Sequence, residues 1–158
     1  PHHEMSAAEA QVAEPDTRFA RAYVHAGMVA LDGEKMSKSR GNLELVSRLR
    51  ENGVDPMAIR LALLGHHYRS DWEWKASDIT NAVRLLTRLR EACAAPAGAV
   101  TGPVVTEVLA ALATDLDAPR ALAALANWAD RTGAGDPSEP GAGEVVRRLA
   151  DAALGLQL

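Results

Sequence analysis

Two lysines stand three residues apart in the run Lys35-Met36-Ser37-Lys38-Ser39. The hydroxyls of Ser37 and Ser39 lie beside them, and Gly41 follows closely. Mobile ammonium groups, hydroxyls and a permissive backbone can close over a polyphosphate. The ammonium charges would offset negative charge that grows on a leaving pyrophosphate. The choice of lysine is informative in itself. Of the 17 basic residues 14 are Arg, and the remaining lysine is Lys75. Where a chain otherwise relies on the planar fork of Arg, a local pair of Lys suggests that compact point charges are wanted. The stretch is not a Walker loop, because no GxxxxGK precedes a helix. On spacing alone, a solvated surface loop explains the two lysines equally well.

A second cluster opens the chain, at His2-His3-Glu4. Imidazole and carboxylate are metal-ligand chemistry, although an isolated His is more often structural. Cys93 is the single cysteine. It falls on an expected helix face, so it reads as a small buried hydrophobe rather than a ligand. One cysteine also excludes a disulfide framework and a zinc site built of Cys alone. His66, His67, Tyr68 and Arg69 form a further polar run, read as structural support behind the lysine loop. Trp72 and Trp74 read as packing residues.

These side chains need elements to hold them. Residues 5–14 are expected to be helical, with Pro15 as the stop. Residues 17–23 suggest a short helix or turn. Val-His-Ala-Gly-Met-Val-Ala-Leu from Val24 leads to Asp32-Gly33, the signal for two short strands around a tight turn. KSRGN then reads as loop. A helix is expected over 43–51, closed by Asn52-Gly53. Asp55-Pro56 should open the next helix, which carries Ile59, Leu61, Leu63 and Leu64. Residues 65–75 read as a connector. Ser77 is the expected cap of a long helix to Ala95, with Ile79, Val83, Leu86 and Leu89 on one face. A Pro/Ala/Gly linker over 96–103 precedes helices near 104–114 and 118–131. The Gly/Pro-rich stretch 133–143 is the expected disordered segment, and a last helix covers about 144–154.

The chain has 158 residues, 47% of them hydrophobic and 24% charged, which describes a folded globular protein. Abundant Ala with only 4% aromatics points to helices packed through Ala and Leu. A net charge of -4 argues against a free-standing nucleic-acid-binding module. No apolar run approaches the roughly 18 residues of a membrane span. The reducing cytoplasm is the expected compartment. The opening at Pro1 reads as the C-terminal part of a longer protein.

The string KMSKS resembles, letter for letter, the signature loop of class I aminoacyl-tRNA synthetases. The opening Pro-His-His-Glu resembles the zinc-site stretch of the cysteinyl branch, and the offset of 33 positions from His2 to Lys35 fits that branch. DPMAIRLALLGHHYRS and TDLDAPRALAAL are similar to its helical region, so the likeness runs from residue 1 to about 128. Two groups fit: cysteinyl-tRNA synthetases, and the cysteine ligases of mycothiol biosynthesis. The tRNA enzymes usually read His-His-Glu-Asn-Glu, where the last Glu is a further zinc ligand, but this chain has Ser6 there. Residues 76–158 also carry ten Asp/Glu against seven Arg and no Lys, an unsuitable surface for tRNA. The resemblance therefore favours the ligases.

The resemblance implies a mainly α fold. The end of a Rossmann-type catalytic domain, with hairpin and signature loop, would occupy 1–42. A helical connecting domain would occupy 43–95, and an Ala-rich C-terminal bundle 96–158. It implies an enzyme that uses ATP to join L-cysteine to the amine of glucosaminyl-inositol through cysteinyl-adenylate, with no tRNA. No membrane partner is expected, and a monomer is expected because nothing in the sequence suggests an obligate dimer. Lys38 and then Lys35 are the implied catalytic charges. Val29, Lys35, Met36, Ser37, Lys38 and Ser39 are the implied ATP contacts, Val29 through its backbone. His2 is the implied ligand of one Zn2+, whose other ligands lie outside this chain. The 158 residues alone are then expected to be inactive.

Overall fold

The computed structural model describes residues 2–136 and 138–158. It is mainly helical, with a small β layer near the N-terminus and a helical bundle behind it. Helix α1 spans His2–Ala13 and buries none of its residues. Residues 17–23 form bends rather than a helix. The hairpin expected around Asp32-Gly33 is present as β1, Val29–Leu31, and β2, Glu34–Lys35. A 3-10 turn, Lys38–Arg40, follows.

Helix α2 is Val46–Glu51, so it starts three residues later than the expected 43. Leu45 at its start offers no capping side chain, and Asn42 is occupied elsewhere. Helix α3, Pro56–Leu64, begins as its sequence dictates. The Asp55 carboxylate accepts the Met57 N–H at 2.8 Å, and Pro56 supplies the preset first turn. The Arg90 guanidinium donates to the other Asp55 oxygen at 2.7 Å and holds this carboxyl below its ordinary value. Helix α4, Ala76–Ala94, is capped differently from expectation. Asp78, not Ser77, accepts the exposed N–H of Lys75, at 2.7 Å. The buried face of α4 runs through Ala82, Leu86, Leu89 and Cys93, while Val83 points to solvent. Leu63 of α3 is likewise exposed.

Between α3 and α4 the expected connector contains a strand, β3, Trp72–Glu73. It runs parallel to β1, giving the order β2-β1-β3. The presumed linker and the presumed disordered loop also pair. Strand β4, Ala97–Ala99, is antiparallel to β5, Ser138–Pro140. Thr101 donates its backbone N–H to Glu139 at 2.8 Å, which caps the start of helix α5, Thr101–Ala113. Pro137, within the stretch expected to be disordered, lies outside the described residues. Helix α6, Ala118–Gly133, and helix α7, Ala142–Leu154, complete the chain.

One apolar core joins α3, α4, α5, α6 and α7. Its largest fully buried side chains include Trp128, Leu89, Leu125 and Val108. The Trp128 indole N–H donates to the Ala99 carbonyl at 2.7 Å, so the ring is buried with its polar atom satisfied. Burial pushes the Cys93 thiol above its ordinary value, as befits an inert packing residue. Small residues set the helix spacing. A Cβ on Gly143 would stand 2.2 Å from the Cys93 carbonyl oxygen, so α7 crosses α4 at backbone contact. Gly143→Ala must push the two helices apart. It is expected to cost about 1–3 kcal/mol, measured as a lowered midpoint in equilibrium urea unfolding. Among the described residues no helix is long and apolar enough to cross a membrane.

Candidate active site at the signature loop

The loop is mounted on the hairpin. Asp32 and Gly33 both have positive φ, 53° and 75°, the geometry of a tight turn that matches strand twist. The Glu73 carboxylate of β3 accepts the Gly33 N–H at 2.7 Å and fixes that turn from the side. Trp74 donates its N–H to the Ala30 carbonyl at 2.8 Å, and Trp72 donates to Met28 at 3.0 Å. The hairpin is therefore anchored to the segment that enters α4. Met36 donates its N–H to the Val29 carbonyl at 3.1 Å, so those two residues meet directly. Both side chains pack against the core from its edge.

Beyond Met36 the chain closes on itself. Asn42 accepts the Ser37 N–H at 3.0 Å and donates to the Lys35 carbonyl at 3.3 Å. Gly41, at φ 69°, supplies the left-handed residue that turns the chain back. Its N–H donates to the Lys38 carbonyl at 3.2 Å. Ser37 and Ser39 place their hydroxyls 3.3 Å apart. Arg40 pairs with Glu34 across the loop base. Lys35 and Lys38 are exposed and have no ion-pair partner among the described residues. Two uncommitted ammonium groups on a tied loop suit a polyanionic ligand.

The run His66 to Arg69 braces this layer from behind. His66 stacks on Trp72 with centroids 3.7 Å apart. Tyr68 and Arg69 both donate to Asp115, at 2.8 and 2.9 Å, in the turn between α5 and α6. A Cβ on Gly27 would meet the Ser70 carbonyl oxygen at 2.1 Å, so β1 is approached at backbone distance.

His2 opens α1 and lines a depression of about 650 Å³ with His3, Glu4, Tyr23 and His25. None of the signature-loop residues lines it. The His3 ring stacks on Tyr23 at 5.3 Å and lies tilted against His25 at 4.4 Å. His2 itself is exposed. Ser6 follows one helical turn later on the same face, where a ligand would pair with His2. A hydroxyl is a poor donor to zinc beside thiolate, imidazole or carboxylate. Among the described residues no group of three or more His, Cys, Asp or Glu could hold a metal. Zinc held by His2 would therefore need further ligands from outside these residues.

Residues 1–84 match the model of the class I (C) tRNA synthetase catalytic domain. The chain belongs to this family. All 158 residues are also similar to proteins named L-cysteine:1D-myo-inositol 2-amino-2-deoxy-alpha-D-glucopyranoside ligase. Identity is 58% with that of Streptosporangium roseum and 56% with that of Streptomyces griseus. The chain spans 39% of the length of each. Among solved structures, a LeuRS of Agrobacterium radiobacter, in ternary complex with tRNA and LeuAMS, has a TM-score of 0.56. It is 21% identical, with 83% of this chain and 20% of that chain covered, a likeness of fold alone.

Two contributors to the site were not singled out from sequence. Asn42 stood in view in KSRGN but read only as a loop former. Glu73 has no local signal, because its partner Gly33 is 40 residues away.

Proposed function

We propose that these residues serve an ATP-dependent carbon–nitrogen ligase, as the C-terminal portion of a longer protein in mycothiol biosynthesis. It would join L-cysteine to the amine of glucosaminyl-inositol. The observation that carries this reading is the similarity along the whole chain to relatives bearing that ligase name. Ser6 in place of a carboxylate supports it. On this reading residues 1–42 end the nucleotide-binding domain, 43–95 connect, and 96–158 form the terminal bundle.

The reaction has two halves. The cysteine carboxylate attacks the α-phosphorus of ATP, and pyrophosphate leaves. The amine then attacks the activated carbonyl, forming an amide and releasing AMP. Lys38, seconded by Lys35, offsets charge on the departing pyrophosphate. Met36, Ser37 and Ser39 complete the loop over the nucleotide, and Val29 contributes strand-edge backbone. Zinc, when bound through His2 and ligands beyond these residues, supplies a soft Lewis acid that prefers a thiolate to a hydroxyl. The enzyme would act as a cytoplasmic monomer without tRNA.

The second reading, a cysteinyl-tRNA synthetase, is compatible with the family match over residues 1–84, although the ligase-named relatives favour the first. It shares the first half-reaction, so the acceptor decides. Full-length protein with cysteine and ATP is expected to consume glucosaminyl-inositol and leave cysteine tRNA uncharged. Charging of tRNA without turnover of the amino sugar would establish the second reading.

A further inference from the structure

We propose that Asn42 is a positioning residue for the signature loop: its carboxamide ties the loop's two ends so that Lys38 is presented on a preformed turn. This rests on the reading of the loop as the ATP site. A carboxamide carries donor and acceptor on one planar head, and both are used here. Oδ1 takes the Ser37 N–H at 3.0 Å, and Nδ2 reaches the Lys35 carbonyl at 3.3 Å. Lys35 is the last residue of β2, so the clamp links the strand register to the loop. Asn42 is half-buried, whereas Lys38 and Ser39 are exposed. The neck is thereby held while the charged tip stays open to a ligand. Arg40 donates its N–H to the Ser37 carbonyl at 3.3 Å, and Gly41 donates to Lys38 at 3.2 Å, so the tip is one closed turn hung from that neck. Ser37 is its first hydrogen-bonded residue. Releasing the Ser37 N–H frees the whole turn to pivot. An ammonium that must search for the leaving pyrophosphate stabilises the transition state less than one already in place.

The test uses the full-length protein. Asn42→Ala is expected to slow single-turnover formation of cysteinyl-adenylate about tenfold, leaving ATP affinity within about twofold and acceptor transfer normal. In a Lys38→Ala background, Asn42→Ala should add less than about a twofold loss, because both act through one charge. Losses that multiply in the double variant would overturn the proposal. Trypsin supplies a readout that needs no activity. Nicking after Lys38 and Arg40 should be roughly tenfold faster in Asn42→Ala, at an unchanged melting temperature, because a released loop opens more often. Equal nicking in both proteins would refute the clamp. Wild-type protein that forms no cysteinyl-adenylate would instead overturn the functional reading, while the tryptic comparison still judges the clamp.

Discussion

Replacing Lys38 with Ala in the full-length protein is expected to slow cysteinyl-adenylate formation by about 10²–10³-fold. The expectation starts from exposure. Lys38 has no ion-pair partner among the described residues, so its removal leaves no buried charge unpaired and should not unfold the domain. Its ammonium rides on a three-residue turn between Ser37 and Gly41. In bound ATP the bridging oxygen to the departing group carries little charge. In the transition state that charge rises as the bond to pyrophosphate breaks. A positive group near those oxygens therefore favours the transition state over the ground state, which is the condition for raising kcat. Loss of one such stabiliser typically costs about 3–4 kcal/mol. ATP affinity should change much less. Transfer from preformed adenylate should be close to normal, because no pyrophosphate remains to be stabilised. Single-turnover measurement of the two half-reactions separates these outcomes. An equal loss in both, or a loss confined to ATP binding, would assign Lys38 to structure or to ground-state binding.

The elements beneath this loop differ in how plainly the sequence announced them. Asp32-Gly33 demanded positive φ at two successive positions, and Asp55-Pro56 combined a cap with a preset first turn. Both are local signals, and both features are present. The misses are non-local. Strand β3 is two residues long and exists because the Trp72 and Trp74 backbone N–H groups pair with the carbonyls of Met28 and Ala30, more than 40 residues upstream. Strands β4 and β5 are made of Ala, Gly, Ser, Glu and Pro, with no alternation to read. Thr132 and Trp128 of α6 hold β4 through the Ala99 backbone, so tertiary hydrogen bonds replace propensity there. The late start of α2 has the same origin. Asn42 spends its side chain on Ser37 and Lys35, and no capping group is left for residues 43–45. Within the candidate site the residue types were legible from the lysine pair. The arrangement that ties them was not, because it depends on one carboxamide folding back over seven residues.

His2→Ala is expected to remove most of the zinc from the full-length protein, while Ser6→Ala should leave close to one zinc per chain. Both residues lie on one face of α1, one turn apart. Their chemistry separates them. A neutral imidazole is a strong zinc donor, whereas a serine hydroxyl is rarely one. His2 is exposed at the head of the helix, so its loss should remove a ligand without opening a core. The neighbouring His3 is engaged with the rings of Tyr23 and His25 and is not positioned to substitute freely. If His2 supplies one of the zinc ligands, its loss would lower the affinity for the metal. Zinc content after dialysis against a chelator is the direct measurement, with thermal melting as a control for folding. Ser6→Glu offers a further discrimination. A carboxylate one turn from His2 restores the ligand pattern of the tRNA-charging branch, so zinc should be held more tightly against the chelator. If Ser6→Ala strips the metal and His2→Ala keeps it, then PHHEMS is not the zinc-site stretch. The first turn of α1 would then need another role.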